Sequence, residues 1–302
     1  MKKAFPPTKV AELYGRSTSE SVDWQAKCST QQCPFLGRKC LKNRKSEPDI
    51  TIGTCTMMYG RIAQPIMICP FRLLERSQIF TDCVHLLKLH EPGNELRITA
   101  ELAVPGGSVD YCLVSVRDGK PRDFVGIELQ TLDTTGTVWP ERQRFLGDYG
   151  VKAKRKDVAS TKPFGMNWKM TAKTILVQLN HKIATFDHLG KRLVLVLQDQ
   201  LLEYMRREFA FNHIKGVRDG DPMQFHSYEL RKQLDRYALQ LSERVSTDAA
   251  GISMCLGLQA ESRVELQMIL DQIESKLPNS TLLEVGGPLP VAKITDMEAD
   301  NS

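Results

Sequence analysis

Residues 107–130 have the sequence GSVDYCLVSVRDGKPRDFVGIELQ, which we interpret as two β-strands joined by a turn. Apolar and polar side chains alternate over 109–116, the period of a strand with one buried face. Asp118-Gly119 then supplies turn residues, and the apolar stretch 124–132 forms the returning strand. The pattern predicts a β-hairpin.

Three polar side chains of this hairpin are expected to share one face. Glu128 and Gln130 are two residues apart, so both side chains leave the same side of a strand. If the turn spans 117–123, Asp110 lies opposite Gln130, and all three side chains can reach one ion. Two carboxylates that converge from paired strands suit Mg²⁺, which takes oxygen ligands and keeps several waters. The alternative is an ordinary polar face on a half-exposed strand.

The same residues resemble the Asp…Glu-x-Lys motif of the PD-(D/E)XK nucleases. In those enzymes, a metal held by two carboxylates activates water and stabilises the charge that develops on a phosphate. Here Gln130 occupies the place of the lysine. A neutral amide can orient a water molecule, but it cannot serve as a base or as a cation.

The rest of the chain predicts a mixed α/β fold. Helical periodicity predicts a helix over 168–189, and the near-continuous apolar run 192–197 predicts a strand buried on both faces. The other predicted elements are a short helix over 76–91, a strand over 96–102, helices over 201–209, 228–245 and 262–277, and a strand over 252–258. A hairpin followed by helix, strand and helix gives a mixed sheet flanked by helices.

Five of the eight cysteines fall within the first quarter of the chain: Cys28, Cys33, Cys40, Cys55 and Cys69. A tetrahedral metal site needs four thiolates from a chain that folds back on itself, and the glycines and prolines of this segment allow such folding. The segment therefore predicts a structural zinc or iron site, with scattered buried cysteines as the alternative. The other cysteines are isolated and are expected in the apolar core: Cys83, Cys112 and Cys255.

Positive charge is concentrated in the cysteine-rich segment. The chain of 302 residues has a net charge of +5, and its first 75 residues carry 12 Lys and Arg against 6 Asp and Glu. That segment is therefore +6 and the remainder is −1. A second basic stretch contains Lys152, Lys154, Arg155 and Lys156. Basic patches suit phosphate backbones, and a solvated surface is the alternative.

Composition excludes several classes of protein. No apolar run reaches the roughly 18 residues that a membrane span needs, and the N-terminus has no apolar stretch of the kind found in signal peptides. Hydrophobic residues at 41% and charged residues at 25% are typical of a folded globular chain. We therefore expect a cytoplasmic protein rather than a membrane, secreted or disordered one.

Taken together, these features resemble the NotI-type restriction endonucleases, a PD-(D/E)XK group with a Glu-x-Gln variant of the motif. The similarity covers about residues 28–200. It is carried by Cys33-Pro34-Phe35, Cys40, Gly53-Thr54-Cys55, Cys69-Pro70, Asp110, Glu128-Leu129-Gln130 and the stretch 167–176.

The resemblance implies roles for these residues. Asp110 and Glu128 would hold Mg²⁺, Gln130 would take the position of the lysine, and Glu101 would be an auxiliary carboxylate. The metal ligands of the structural site would be Cys33, Cys40, Cys55 and Cys69, which have better turn contexts than the fifth candidate, Cys28. In that group the structural metal is iron and supports DNA recognition, and homodimers cut palindromic double-stranded DNA.

We therefore expect an α/β fold, a PD-(D/E)XK restriction-endonuclease-like mixed sheet flanked by helices, with a small N-terminal cysteine-metal domain. The predicted domains are 1–75 for DNA recognition, 76–287 for the nuclease core with helical elaborations, and 288–302 as an acidic, disordered tail. The predicted function is that of a Mg²⁺-dependent type II restriction endonuclease of the bacterial cytoplasm. The alternatives are a cysteine-metal DNA-binding protein without nuclease activity, and a DNA-repair or phage nuclease of the same fold.

Overall fold

The computed structural model describes residues 8–257, 266–276 and 278. The chain forms two compact units, Met1–Leu258 and Gln259–Ser302. The first unit holds both the cysteine-rich segment and the predicted hairpin. The helix of the second unit agrees with the one predicted over 262–277, and the tail predicted over 288–302 lies outside the described residues. None of the described helices is long and apolar enough to cross a membrane.

The N-terminal segment folds into short antiparallel strands and one helix. Its elements are β1 (Val10–Leu13), β2 (Arg16–Ser17), α1 (Trp24–Thr30), β3 (Gln32–Cys33), β4 (Arg38–Lys39), β5 (Asn43–Arg44), β6 (Glu47–Thr51), β7 (Thr54–Tyr59) and β8 (Gln64–Met67). Four of the strands form a sheet in the order β2-β1-β7-β8. The other four form two separate pairs, β3 with β4 and β5 with β6.

A seven-stranded mixed sheet occupies the centre of the first unit. The remaining elements are α2 (Gln78–Thr81), β9 (Glu95–Val104), β10 (Gly107–Arg117), β11 (Lys120–Gln130), β12 (Thr134–Gly136), α3 (Trp139–Asp148), α4 (Arg155–Val158), β13 (Phe164–Met166), α5 (Trp168–His188), β14 (Arg192–Gln198), α6 (Asp199–Glu208), β15 (Lys215–Gly216), β16 (Met223–Gln233), β17 (Arg236–Thr247), α7 (Ala249–Cys255) and α8 (Leu266–Lys276). The sheet order is β15-β17-β16-β14-β11-β10-β9, in which β14 runs parallel to β11 and β16 and the other pairs are antiparallel. The predicted mixed α/β class is confirmed.

Strand β14 is buried on both faces, as its apolar run predicted. Leu193, Leu195 and Leu197 belong to the same core cluster as the apolar face of α5. Val194 and Val196 point to the other face, where α2 and its neighbouring turns cover the sheet. Helices on both faces exclude water from the parallel strands.

The single helix predicted over 76–91 is wrong. The region instead contains a 3₁₀ helix over Pro70–Ser77, then α2, then a second 3₁₀ helix over Val84–Leu86. Arg76 and Ser77 have φ angles of 52° and 56°, so two successive residues in the left-handed region break the helix.

The predictions for 228–245 and 252–258 are also wrong. The first region is a hairpin of β16 and β17 rather than a helix, with Gln233 paired to Arg236 across the turn. Its leucines mimic helical spacing, and its turn residues, Leu234-Asp235, include no glycine that would mark a hairpin. The second region lies largely in α7, a helix capped by Asp248, whose Oδ1 accepts a hydrogen bond from the Gly251 N–H at 2.8 Å.

Candidate active site

Asp110 and Glu128 lie side by side on β10 and β11. The antiparallel register runs as far as Tyr111 with Ile127, and its continuation by one residue places Asp110 opposite Glu128. The Leu129 N–H donates to Asp110 Oδ2 at 2.8 Å, which fixes the first carboxylate beside the second.

The predicted pairing of Asp110 with Gln130 is therefore wrong by two residues. The strands continue to Arg117 and Lys120 and are joined by a tight turn at Asp118-Gly119, with φ angles of 51° and 72°, instead of a seven-residue turn. Because side chains alternate with a period of two, this shift leaves the carboxylates on the predicted face.

Lys182 of α5 completes the site, although the sequence interpretation had not singled it out. Its Nζ donates to Glu128 Oε1 at 2.6 Å, and each of the two side chains is only 6% exposed. The other side chains along this stripe of α5 are apolar: Ile175, Leu179 and Phe186. A lysine at helical spacing among buried apolar residues is the signal that could have found it, because a buried ammonium group needs a charged partner.

Burial dominates the electrostatics of the pair of carboxyl groups. It raises the pKa of Glu128 to about 7, against the hydrogen bond from Lys182, and the negative charge of Asp110 contributes in the same direction. Burial also raises the pKa of Asp110, whereas the Leu129 N–H and the charge of Lys182 lower it. The site therefore holds two neighbouring carboxyl groups whose pKa values burial raises, one of them paired with a lysine.

Glu101 lies on β9, the strand next to β10, and the Gln130 side chain turns away from the two carboxylates. On β9, Ala100 pairs with Tyr111, so Glu101 comes next to Asp110, whose pKa it helps to raise. Glu101 is exposed and has a left-handed φ of 55°. The Gln130 amide donates from Nε2 to its neighbour Thr131 O at 2.6 Å instead of reaching the carboxylates.

The four cysteines predicted as metal ligands are all buried: Cys33, Cys40, Cys55 and Cys69. Burial raises the pKa of Cys55, with Cys69 and Cys33 contributing, and raises that of Cys69 to about 11, with Cys40 and Cys33 contributing. The four thiols therefore lie within electrostatic range of one another. Cys28 instead lies beside Arg142, which lowers its pKa against the effect of burial.

These thiols do not stand in a ready ligand geometry. Among the residues that the structure describes, no three Cys, His, Asp or Glu side chains are arranged to hold a metal ion. The three cysteines expected in the core are indeed buried: Cys83, Cys112 and Cys255.

Comparison with known proteins identifies the family. A family model described as restriction endonuclease NotI matches residues 22–240, a span that contains both carboxylates, Lys182 and the four cysteines. The chain belongs to the NotI restriction endonuclease family. Membership implies a deoxyribonuclease with DNA as its substrate. A search of curated proteins found no match to the chain.

In this NotI-family chain, the predicted basic stretch lies against the cysteine-rich segment. Asp157 of α4 accepts hydrogen bonds from both terminal nitrogens of Arg44 at 3.2 Å, and Lys154 Nζ lies 2.7 Å from Glu47 Oε2. The other three basic residues of the stretch are exposed: Lys152, Arg155 and Lys156. Three positive charges therefore face solvent beside the β5–β6 pair.

Arg38 is a further basic residue that the sequence interpretation missed. It lies on β4, is exposed, and its charge lowers the pKa of Tyr111 against the effects of burial and of Asp110. The basic cysteine-rich segment thus extends to the neighbourhood of the carboxylates.

Proposed function

We propose that this chain is a type II restriction endonuclease that hydrolyses phosphodiester bonds of double-stranded DNA with Mg²⁺ held by Asp110 and Glu128. The observation that carries the proposal is the adjacency of these carboxylates on β10 and β11 in a chain of this family. We further propose that β9–β11, β14 and α5 form a PD-(D/E)XK core.

Mg²⁺ bound at this site would activate a water molecule and offset the negative charge that develops on the phosphate. The donor set fits this ion, because two neighbouring carboxylates supply oxygen ligands and leave room for waters. Asp110 is oriented by the Leu129 N–H, and the buried wall of α5 limits access of bulk water to Glu128. Glu101 would act as an outer carboxylate, and Gln130 would occupy the motif position of the lysine without its charge.

The four cysteines would hold iron or zinc in the DNA-recognition segment. Buried thiols close enough to raise one another's pKa form a donor set that either metal favours once the thiols are deprotonated. Binding would require the four side chains to turn toward a common centre.

The exposed basic side chains would form the contact with DNA. Lys152, Arg155, Lys156 and Arg38 are exposed around the cysteine-rich segment, where they would contact phosphates and contribute salt-dependent affinity without reading bases. A homodimer on palindromic DNA in a bacterial cytoplasm is part of the same proposal.

Digestion of phage DNA with Mg²⁺ tests this function. The proposal predicts a reproducible set of discrete fragments, and none when the metal is chelated with EDTA. A smear would indicate a nuclease without a fixed site, as in a repair or phage enzyme. Intact DNA that still shifts in a gel with the protein would indicate a DNA-binding protein without nuclease activity.

A further inference from the structure

We propose that Lys182 supplies, from helix α5, the positive charge that the Asp…Glu-x-Lys motif places on the strand and that Gln130 lacks. The inference rests on the proposed function and names a positioning residue of the same site. Lys182 acts through Glu128: it holds one carboxylate oxygen and leaves the other, Oε2, available to a metal.

The contact between the two side chains is specific. Lys182 Nζ lies 2.6 Å from Glu128 Oε1, and among the described residues no other side chain hydrogen-bonds to this carboxylate. A buried ammonium group and a buried carboxylate hold each other in place because neither has water as an alternative partner. Glu128 therefore has one fixed orientation on β11.

The strand position at which the motif has a lysine carries an uncharged side chain in this protein. Gln130 is on the same face as Glu128, two residues along, but its amide is committed to the Thr131 carbonyl. The ammonium group that contacts Glu128 thus comes from a helix instead of from the strand. Its charge acts on Asp110 as well as on Glu128.

The turn between β9 and β10 fits closely around this lysine. A Cβ on Gly106 would lie 2.3 Å from the His181 carbonyl oxygen, and a Cβ on Gly107 would lie 3.2 Å from Lys182 Cε. Only glycines allow the turn to approach α5 so closely. The turn, which precedes Asp110 by three residues, therefore also encloses the Lys182 side chain.

The test removes the lysine from α5 and then introduces a lysine at position 130 of the strand. Lys182→Met keeps the length of the side chain and removes its charge. We expect kcat for cleavage of a DNA fragment to fall on the order of 100-fold, with KM changed less than about threefold. Lys120→Met is the matched control, because Lys120 is exposed at the far end of the hairpin, and it should cleave like the wild type.

The decisive protein is the double variant Gln130→Lys/Lys182→Met. If the site needs a positive charge, the double variant should have a kcat at least about tenfold higher than that of Lys182→Met. A merely structural lysine on α5 would not be replaced from the strand, so a folded double variant without recovered activity overturns the inference. Cleavage by Lys182→Met within about threefold of wild type overturns it as well.

Two further results are interpretable. If Lys182→Met does not fold, the double variant alone decides: a folded and active protein supports the inference, and an unfolded or inactive one overturns it. If the wild-type protein cleaves no DNA at all, the proposed function fails, a result distinct from wild-type cleavage that is insensitive to Lys182.

Discussion

At the scale of single residues, the chain neutralises its buried ionisable groups in two ways. Glu128 and Lys182 pair with each other. His226, which is fully buried, has uncharged hydrogen-bond partners: Gln224 Oε1 at 3.0 Å and Cys83 Sγ at 3.8 Å. Burial and the nearby charge of Arg244 lower the pKa of His226 to about 3, so the ring is neutral in the folded chain near pH 7.

This neutral histidine predicts a loss of stability in acid. In the unfolded chain, His226 titrates near its ordinary pKa of 6.5, whereas the folded chain resists protonation until about pH 3. As the pH falls below 6.5, the unfolded state binds a proton that the folded state does not. The free energy of unfolding should therefore decrease by up to about 1.4 kcal/mol per pH unit from this group.

Urea unfolding of wild type and His226→Gln between about pH 5 and pH 7 measures this contribution. The variant should lose that part of the pH slope, whereas His188→Gln, which changes an exposed histidine of α5, should keep it. An equal slope in wild type and His226→Gln would show that His226 does not govern this acid sensitivity.

At the scale of elements, the sequence predicted strands better when their turns carried glycine. The Asp118-Gly119 turn marked the β10–β11 hairpin, and the period-two rule kept Asp110 and Glu128 on one face even though the register was two residues off. The Leu234-Asp235 turn has no glycine, and the leucine spacing of β16 and β17 predicts a helix where the structure has a hairpin. The contact of Lys182 with Glu128 joins elements 54 residues apart, and no local pattern specifies it.

The β9–β10 turn gives a prediction at this scale. Gly106→Ala should lower the free energy of unfolding by about 2–3 kcal/mol, because its Cβ would collide with the His181 carbonyl and its φ is +89°. Gly119→Ala is the control: its φ is +72° with no atom within 4 Å of the added Cβ, so it should cost only about 1 kcal/mol. Equal losses, measured by urea unfolding, would contradict the close approach of this turn to α5.

At the scale of the whole molecule, the cysteine-rich segment and the sheet form one unit. The Met67 N–H donates to Gln198 Oε1 at 2.8 Å, and the Met67 carbonyl accepts from the Leu132 N–H at 3.2 Å, which connects β8 to the ends of β11 and β14. An ion pair between Arg44 and Asp157 forms a second connection, between the cysteine-rich segment and α4. A substitution of one of these cysteines should therefore perturb the structure near β11, the strand that carries Glu128.

Metal analysis tests the role of the cysteines. Purified protein should contain about one Fe or Zn per chain, and Cys55→Ser should lose most of it and melt at a lower temperature. Cys83→Ser changes a buried cysteine outside the proposed site and should retain the metal. A wild-type protein without metal, or a Cys55→Ser protein with the full amount, would remove the proposed site.

Asp110 and Glu128 form the proposed catalytic centre, and DNA cleavage by Asp110→Asn and Glu128→Gln with Mg²⁺ tests this claim. Both changes keep the size of the side chain and remove a charged ligand. Each should lower the cleavage rate at least about 1000-fold, while Asp118→Asn at the exposed turn should cleave like wild type. Cleavage by either of the first two variants at the wild-type rate would contradict the claim.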